Sequence, residues 1–334
     1  MLASPPAKSI WQELNERIRK PQLDIAPLSA LPAWGKWKEL MGDLEWLWRR
    51  LRDDESRGIL AHLVLYHLNE GGRPLRWRGE NIPWPTSLPA ETNEASTIQT
   101  SFRGLQLHRR SLHGIGFPAN LFLPASRPND VFELQQYADP RHGLFVELDD
   151  VVIDGGGCWG DSAIYFSHLA GPNGRVFTFE FLPDNLKIMA RNFAINPELA
   201  ERIQIVENPL WSTEGKEMEF LCDGPATRLN SGGLSSDAHV RVKTITIDAL
   251  VKSQNLSRVN FIKFDIEGAE LEALRGAENT IRQFRPKMAL CVYHCPTHFT
   301  QLARFVHEIH PDYNFSMDHF SNGPWETVLY AAPR

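Results

Sequence analysis

Only four cysteines, Cys158, Cys222, Cys291 and Cys295, occur in 334 residues. They are too few for a disulfide framework at this length, so a reducing, cytoplasmic setting is expected. Long apolar runs are missing too. The most apolar stretch, GILAHLVLYHL at 58–68, is interrupted by His62 and His67 and falls short of the roughly 20 residues that span a bilayer. No membrane span is expected, and MLASPPAKSIW at the amino terminus lacks the apolar core of a secretory signal. Positive charge is scarce: 35 Lys+Arg against 41 Asp+Glu give −6, with 18 basic to 19 acidic residues before position 150 and 17 to 22 after it. Without a basic block to neutralise a row of phosphates, nucleic acid and an anionic membrane surface are both poor partners. No internal repeat or low-complexity tract is present.

What is present is a hydrophobic content of 42%, enough to bury a core, and a length that suggests two domains. Residues 1–130 read as a helical and irregular region, a cap over an acceptor cleft or a dimer contact. Within it Trp34, Trp37, Met41, Leu44, Trp48 and Leu51 recur at steps of three and four, which places them on one face of a helix and reads as core. A second helix covers Glu55 to Asn69 and stops at Gly71-Gly72. A proline-rich loop follows over 73–101, and alternating stretches at 105–123 read as strands.

From about Gly143 strands alternate with helices. VVID (151–154), RVFTFE (175–180), RIQIVE (202–207), VNFIKFD (259–265), KMALCVY (287–293) and the segments 312–317 and 326–332 are seven strands. Helices are expected from Asp161 to Gly171, from Pro183 to Asn196 with Pro197 closing it, through GAELEALRGAENTIRQF, and over 298–310. This grammar predicts an α/β domain over 131–334, a doubly wound, mostly parallel seven-stranded sheet. Such sheets bind ligands outside the carboxyl ends of their strands, at the switch point.

DGGGCWGDS lies where the first of these strands turns into its helix, and Gly155, Gly157 and Gly160 satisfy G-x-G-x-x-G. Glu180 ends the next strand, twenty residues past Gly160, where it can accept from ribose hydroxyls. Asp154 directly before the glycines would repel a pyrophosphate. S-adenosylmethionine carries a sulfonium and an ammonium instead, and the acids at the strand ends, Asp154, Asp161, Glu180, Asp265 and Glu267, would attract both. A purely structural role is open for two of them, Asp161 as a helix cap and Asp154 as a tie across the turn.

VVIDGGGCWGDSAIYF, VFTFEFLPDNL and NFIKFDIEGAELEALRGA, in that order, resemble the signature blocks of the FkbM-type S-adenosylmethionine-dependent methyltransferases. The resemblance runs from roughly Phe132 to Tyr330. It implies a class I, Rossmann-like methyltransferase fold and O-methylation of a hydroxyl on a sugar, glycan or secondary metabolite. Residue by residue it places Asp154, Gly155, Gly156, Gly160, Asp161 and Ser162 in the cofactor turn and Glu180 on the ribose. Phe181 stands where the family commonly has proline.

FIKFDIEGAE delivers Asp265 to the end of its strand, beside the expected position of the transferred methyl group. Asp265 and Glu267 are the candidate bases. Glu270 reads as an ordinary first-turn acid, and Lys263 with Asp265 as a possible buried ion pair. His294 ends the fifth strand at the same edge and could take a proton directly. His319 reads as an exposed histidine, and Cys291 as a core residue rather than a zinc ligand. A divalent metal such as magnesium on Asp265 is an open expectation. Two other classes compete with the methyltransferase reading: an NAD-linked oxidoreductase and a non-catalytic scaffold.

Overall fold

The structure is a computed structural model describing residues 8–18, 28–69, 96–124, 130–222, 224–229, 239–321 and 323–334. It opens with four helices, α1 (Ile10–Ile18), α2 (Trp34–Lys38), α3 (Met41–Arg50) and α4 (Asp54–Leu68). The Asp53 side chain caps α4 by accepting from Ser56 N at 2.7 Å, satisfying one of the amides a helix leaves free. The tryptophan-bearing stripe spans two helices rather than one. Trp37, Met41, Leu44, Trp48 and Leu51 are all buried, as a core stripe should be. The Gly71-Gly72 stop and most of the proline-rich loop lie outside the described residues.

An antiparallel sheet follows, made of β1 (Thr97–Gln99), β2 (Gln106–Ser111) and β3 (Asn120–Pro124). Then come β4 (Val151–Gly155), α5 (Asp161–Ala170), β5 (Arg175–Phe179), α6 (Pro183–Ala194), α7 (Pro197–Ala200) and β6 (Ile203–Val206). Pro197 does not merely close α6; it opens α7, a position where its missing N–H costs nothing. Between 207 and 258, where no element was read from the sequence, lie β7 (Glu217–Leu221), β8 (Arg228–Leu229), β9 (His239–Lys243) and α8 (Ile247–Ser253). The three strands form their own small antiparallel sheet. The chain ends with β10 (Phe261–Phe264), α9 (Glu270–Arg275), α10 (Glu278–Phe284), β11 (Lys287–Cys291), α11 (His298–Ile309), β12 (Asn314–His319) and β13 (Thr327–Ala332). The single helix expected over 268–284 breaks at Gly276, where a Cβ would lie 2.1 Å from the Trp211 carbonyl oxygen.

The main sheet has the order β12-β13-β11-β10-β4-β5-β6. β4, β5, β6, β10 and β11 are parallel, and β13 runs antiparallel to both of its neighbours. Strand order reverses between β4 and β10. Alternate residues feed two cores, one on each face. Ile153, Phe177, Ile262, Leu290 and Met317 join one core with α8 to α11. Val152, Val176, Phe261, Ala289 and Val328 join the other with α5 and residues 112–146. Each of these side chains other than Ala289 contributes roughly 1.5–3 kcal/mol by leaving water.

The helices of the first 68 residues extend the first of these cores. Leu51 forms a parallel bridge to Phe315, with Arg52 N donating to Phe315 O at 2.9 Å. These contacts cover the otherwise open edge at β12. Asp43 and Arg304 pair between α3 and α11. No helix among the described residues is long and apolar enough to cross a membrane.

Candidate active site at the switch point

After β4 the chain turns through Gly156 at φ +87°, where a Cβ would sit 1.9 Å from the Asp265 carbonyl oxygen. Only glycine permits this approach. Asp265 N in turn donates to Gly155 O at 3.1 Å, locking the ends of β4 and β10 together.

Asp154 is buried beneath this turn. It accepts from Ser162 Oγ at 3.0 Å and Thr178 Oγ1 at 2.8 Å, and pairs with Lys263 Nζ at 3.1 Å. Lys263 also donates to the carbonyls of Gly155 and Gly156 at 3.0 and 2.7 Å. The partner of Lys263 is therefore Asp154, not Asp265, because Lys263 and Asp154 stand opposite each other in the β10–β4 register. Burial opposes the Lys263 charge, but Asp154 and Asp265 outweigh it and hold its pKa above the ordinary lysine value. Asp154 and Ser162 thus brace the turn from below. Gly155 ends β4, Gly160 precedes α5 and Asp161 opens it.

Above the turn lies a cleft that includes Gly156, Cys158, Glu180, Asn185, Asp265 and Glu267 in its lining. Phe220, Pro225 and Thr227, from the insertion that carries β7 and β8, form another wall, and among the described residues no Lys or Arg lines the cleft. Of the expected site residues, Gly156, Glu180, Asp265 and Glu267 come together here. Asp154, Gly155, Gly160, Asp161 and Ser162 do not line it.

Glu180 is buried at the amino end of α6. Its Oε1 accepts from the amides of Phe181 and Leu182 at 2.7 and 2.8 Å, and its Oε2 from Asn185 Nδ2 at 2.9 Å. Trp159 Nε1 fixes Asn185 by donating to its Oδ1 at 3.1 Å. Of about four acceptor sites on a carboxylate, one is left, on Oε2. Burial pushes the Glu180 carboxyl up from its ordinary value, and the amide donors only partly offset it.

Asp265 is clamped by two phenols. Tyr293 donates to Oδ1 at 2.8 Å and Tyr137 to Oδ2 at 3.1 Å. Burial disfavours the Asp265 charge, but Lys263 and His294 overcome it and hold the carboxyl below its ordinary range. His294 Nε2 lies 3.5 Å from Asp265 Oδ1 and 3.6 Å from Glu267 Oε1, and its Nδ1 lies 2.8 Å from Glu270 Oε1. Burial lowers the pKa of this ring, yet Glu270, Glu267 and Asp265 together lift it well above the ordinary histidine value.

Glu270 stands in the first turn of α9, as its position suggested, but it is not an ordinary solvated acid there. It is fully buried, accepts from Ile266 N at 3.0 Å and Gly268 N at 3.4 Å, and has Oε2 3.1 Å from His298 Nδ1. Burial raises its pKa, but the two histidines reverse this and hold it well below the ordinary glutamate value. His319 is buried rather than exposed, with Nδ1 2.8 Å from Thr327 Oγ1, and burial takes it down to about 4. Cys291 is a core residue. Among the described residues no group of three or more His, Cys, Asp or Glu is arranged to hold a metal ion.

Tyr137 and Tyr293 were missed by reasoning along the chain, and Glu270 was read there as a first-turn acid only. Tyr293 had a usable signal, since it shares a strand end with His294. Tyr137 had none, because it meets Asp265 across 128 positions.

Comparison with known proteins adds the following. Residues 153–317 match the family model of the methyltransferase FkbM domain. Hexuronic acid methyltransferase AglP of Haloferax volcanii is 30% identical over 139 residues, which cover 41% of this chain and 53% of that protein. The crystal structure of methyltransferase FkbM from Methylobacillus flagellatus KT aligns at a TM-score of 0.57 and 20% identity, covering 89% of this chain and 60% of that one. The match thus spans about half of the curated relative's length. The solved structure shows a shared fold.

Proposed function

The chain carries a methyltransferase FkbM domain, and from that premise we propose that it moves a methyl group from S-adenosylmethionine to a hydroxyl of a sugar, glycan or secondary metabolite. The observation that carries this reading is the sign of the cleft. Asp265, Glu267 and Glu180 line it, and among the described residues no Lys or Arg does. A pyrophosphate would meet carboxylates there, whereas a sulfonium and an ammonium would be attracted. The hexuronic acid methyltransferase among the relatives supports a sugar acceptor.

The residues suit the cofactor. Gly156 leaves backbone, with no side chain, at the turn between β4 and β10, and the remaining acceptor site on Glu180 Oε2 would take a ribose hydroxyl. When bound, S-adenosylmethionine supplies an electrophilic methyl group. Asp265, held ionised and fixed in rotamer by Tyr137 and Tyr293, faces the acceptor side together with Glu267 and His294. These three groups would orient the acceptor hydroxyl and take up its proton as the new O–C bond forms. The Phe220 and Pro225 wall would exclude water from the adenosyl side.

Calorimetric titration of the ligand-free protein with S-adenosylmethionine, S-adenosylhomocysteine and NADH tests the cofactor. Micromolar binding of the adenosyl ligands without NADH is expected; NADH binding alone would refute the reading. Asp265→Asn should abolish turnover and leave cofactor affinity within a few-fold. Surviving turnover would remove Asp265 from the reaction.

A further inference from the structure

The geometry points to Glu270 as a positioning residue, the buried half of a carboxylate–imidazole dyad that turns His294 Nε2 toward the acceptor hydroxyl. This assignment rests on the methyl-transfer reading above. Glu270 Oε1 lies 2.8 Å from His294 Nδ1, and neither side chain has more than 7% of its surface exposed. A deprotonated carboxylate can only accept. The proton of this contact must therefore sit on Nδ1. That tautomer is imposed, and it leaves Nε2 as the nitrogen that works.

Nε2 is buried and has no hydrogen-bond partner. It is bracketed by Asp265 Oδ1 at 3.5 Å and Glu267 Oε1 at 3.6 Å, both cleft-lining residues. Contacts of that length are too long for hydrogen bonds. Ring and carboxylates instead surround a point at which one further polar atom would satisfy Nε2. The acceptor oxygen fits that description.

Glu270 is held in its turn. The amides of Ile266 and Gly268 donate to the same Oε1, and His298 Nδ1 lies 3.1 Å from Oε2. The two amides belong to the loop that carries Glu267, so the dyad and the acidic rim of the cleft are set by one carboxylate. Tyr293, whose ring lies 4.1 Å from that of His294, restricts the imidazole from the strand side.

In the step this arrangement supports, the ring acts in its neutral form, which the surrounding carboxylates make the minor one near neutral pH, and the acceptor O–H proton passes to His294 Nε2 as the oxygen forms its bond to the methyl carbon. The sulfur–carbon bond breaks with its electron pair staying on sulfur, which becomes neutral. The imidazolium produced is balanced by Glu270, as in other buried carboxylate–histidine pairs. Asp265 then orients the hydroxyl from the opposite side.

The test reads the ring nitrogens directly. Protein labelled with ¹⁵N-histidine, loaded with S-adenosylhomocysteine, gives long-range proton–nitrogen spectra in which His294 is assigned by its loss in His294→Gln. Protonated Nδ1 at every pH from about 6 to 9 is expected for the native protein, as neutral ring or imidazolium. A neutral ring protonated only at Nε2 would overturn the dyad, and this result is read on the native protein. Glu270→Gln should release the tautomer. With a hydroxylated acceptor such as methyl glucuronide it should lower kcat by about 10²-fold, within the usual range for general-base catalysis. KM for S-adenosylmethionine should stay within a few-fold, and Glu270→Asp should recover part of the rate. A Glu270→Gln protein that melts normally and keeps full kcat would also overturn the assignment. If the native protein bound no S-adenosylmethionine, the methyl-transfer reading would fall, while the nitrogen spectra would still decide the dyad.

Discussion

Removing either member of the Asp154–Lys263 pair tests whether the acid before the glycines is a structural brace or a cofactor ligand. Both side chains are buried, with Nζ 3.1 Å from Oδ1. Asp154→Asn keeps the shape and an acceptor for Ser162 and Thr178 but leaves the Lys263 ammonium without its counter-ion. Breaking one side of a buried pair costs about 3–5 kcal/mol. Lys263→Met strands the Asp154 carboxylate and also removes the donor to Gly155 O and Gly156 O, adding about 1–3 kcal/mol for each buried carbonyl left unsatisfied. At the low end of 2–4 °C per kcal/mol for large domains, Asp154→Asn should melt roughly 6–10 °C lower and Lys263→Met lower still. The double variant should cost clearly less than the sum, because it leaves no lone charge. Thermal denaturation measures all three. An Asp154→Asn protein that melts like the native one but has lost S-adenosylmethionine affinity in calorimetry would refute the brace and restore Asp154 as a ligand.

Acid should destabilise the fold through two buried histidines. His67, stacked on Trp37, and His319 are both held at about 4 by burial, against 6.5 when unfolded. The unfolded chain therefore binds more protons between those values, so stability is full above pH 6.5 and falls as pH drops toward 4. Each histidine should cost about 2 kcal/mol between pH 7.5 and 5. His67→Phe should flatten the pH dependence of melting, and an unchanged slope would exclude His67 as a source. Gly156→Ala places a methyl group against the Asp265 carbonyl at positive φ. It should abolish adenosyl-ligand binding, measured by calorimetry, while a variant that binds normally would show the turn to be more pliant than described. Glu180→Gln keeps one acceptor oxygen but removes the charge. It should weaken S-adenosylmethionine by about 1.5–3 kcal/mol, the worth of a charged hydrogen bond; unaltered affinity would take Glu180 off the ribose.

The strands of the main sheet were legible because each is a short apolar run between glycines, prolines or charges, the pattern of a strand buried on both faces. The small sheet of β7 to β9 was not. Its strands are two to five residues long, and HVRVK has no buried residue, so no apolar run announces them. Yet this insertion supplies Phe220, Pro225 and Thr227 to the cleft. The ends of the strands were legible as addresses: Gly156, Glu180 and Asp265 all reach the cleft that the strand grammar located. Which partner each side chain finds there was not, since it depends on strand order. Lys263 and Asp154 face each other only because β10 lies beside β4, a pairing that neither segment encodes alone.

The same limit applies to charge. Read along the chain, Glu270 is one acid among several in DIEGAELE, and first-turn acids of helices are usually solvated. Folding buries it between two histidines and beneath Asp265 and Glu267, so one short region gathers Asp154, Asp265, Glu267 and Glu270 around Lys263 and His294. Four carboxylates against two cations leave an acid excess in a place that burial should make intolerant of it. Such an imbalance is costly in a resting protein unless something positive arrives to relieve it. The fold keeps it at the mouth of the cleft, where Asp265 and Glu267 remain partly open to solvent. A ligand that brings a positive sulfur to this edge would therefore gain from charges that the fold has already desolvated, which ties the electrostatics of the turn to the choice of cofactor.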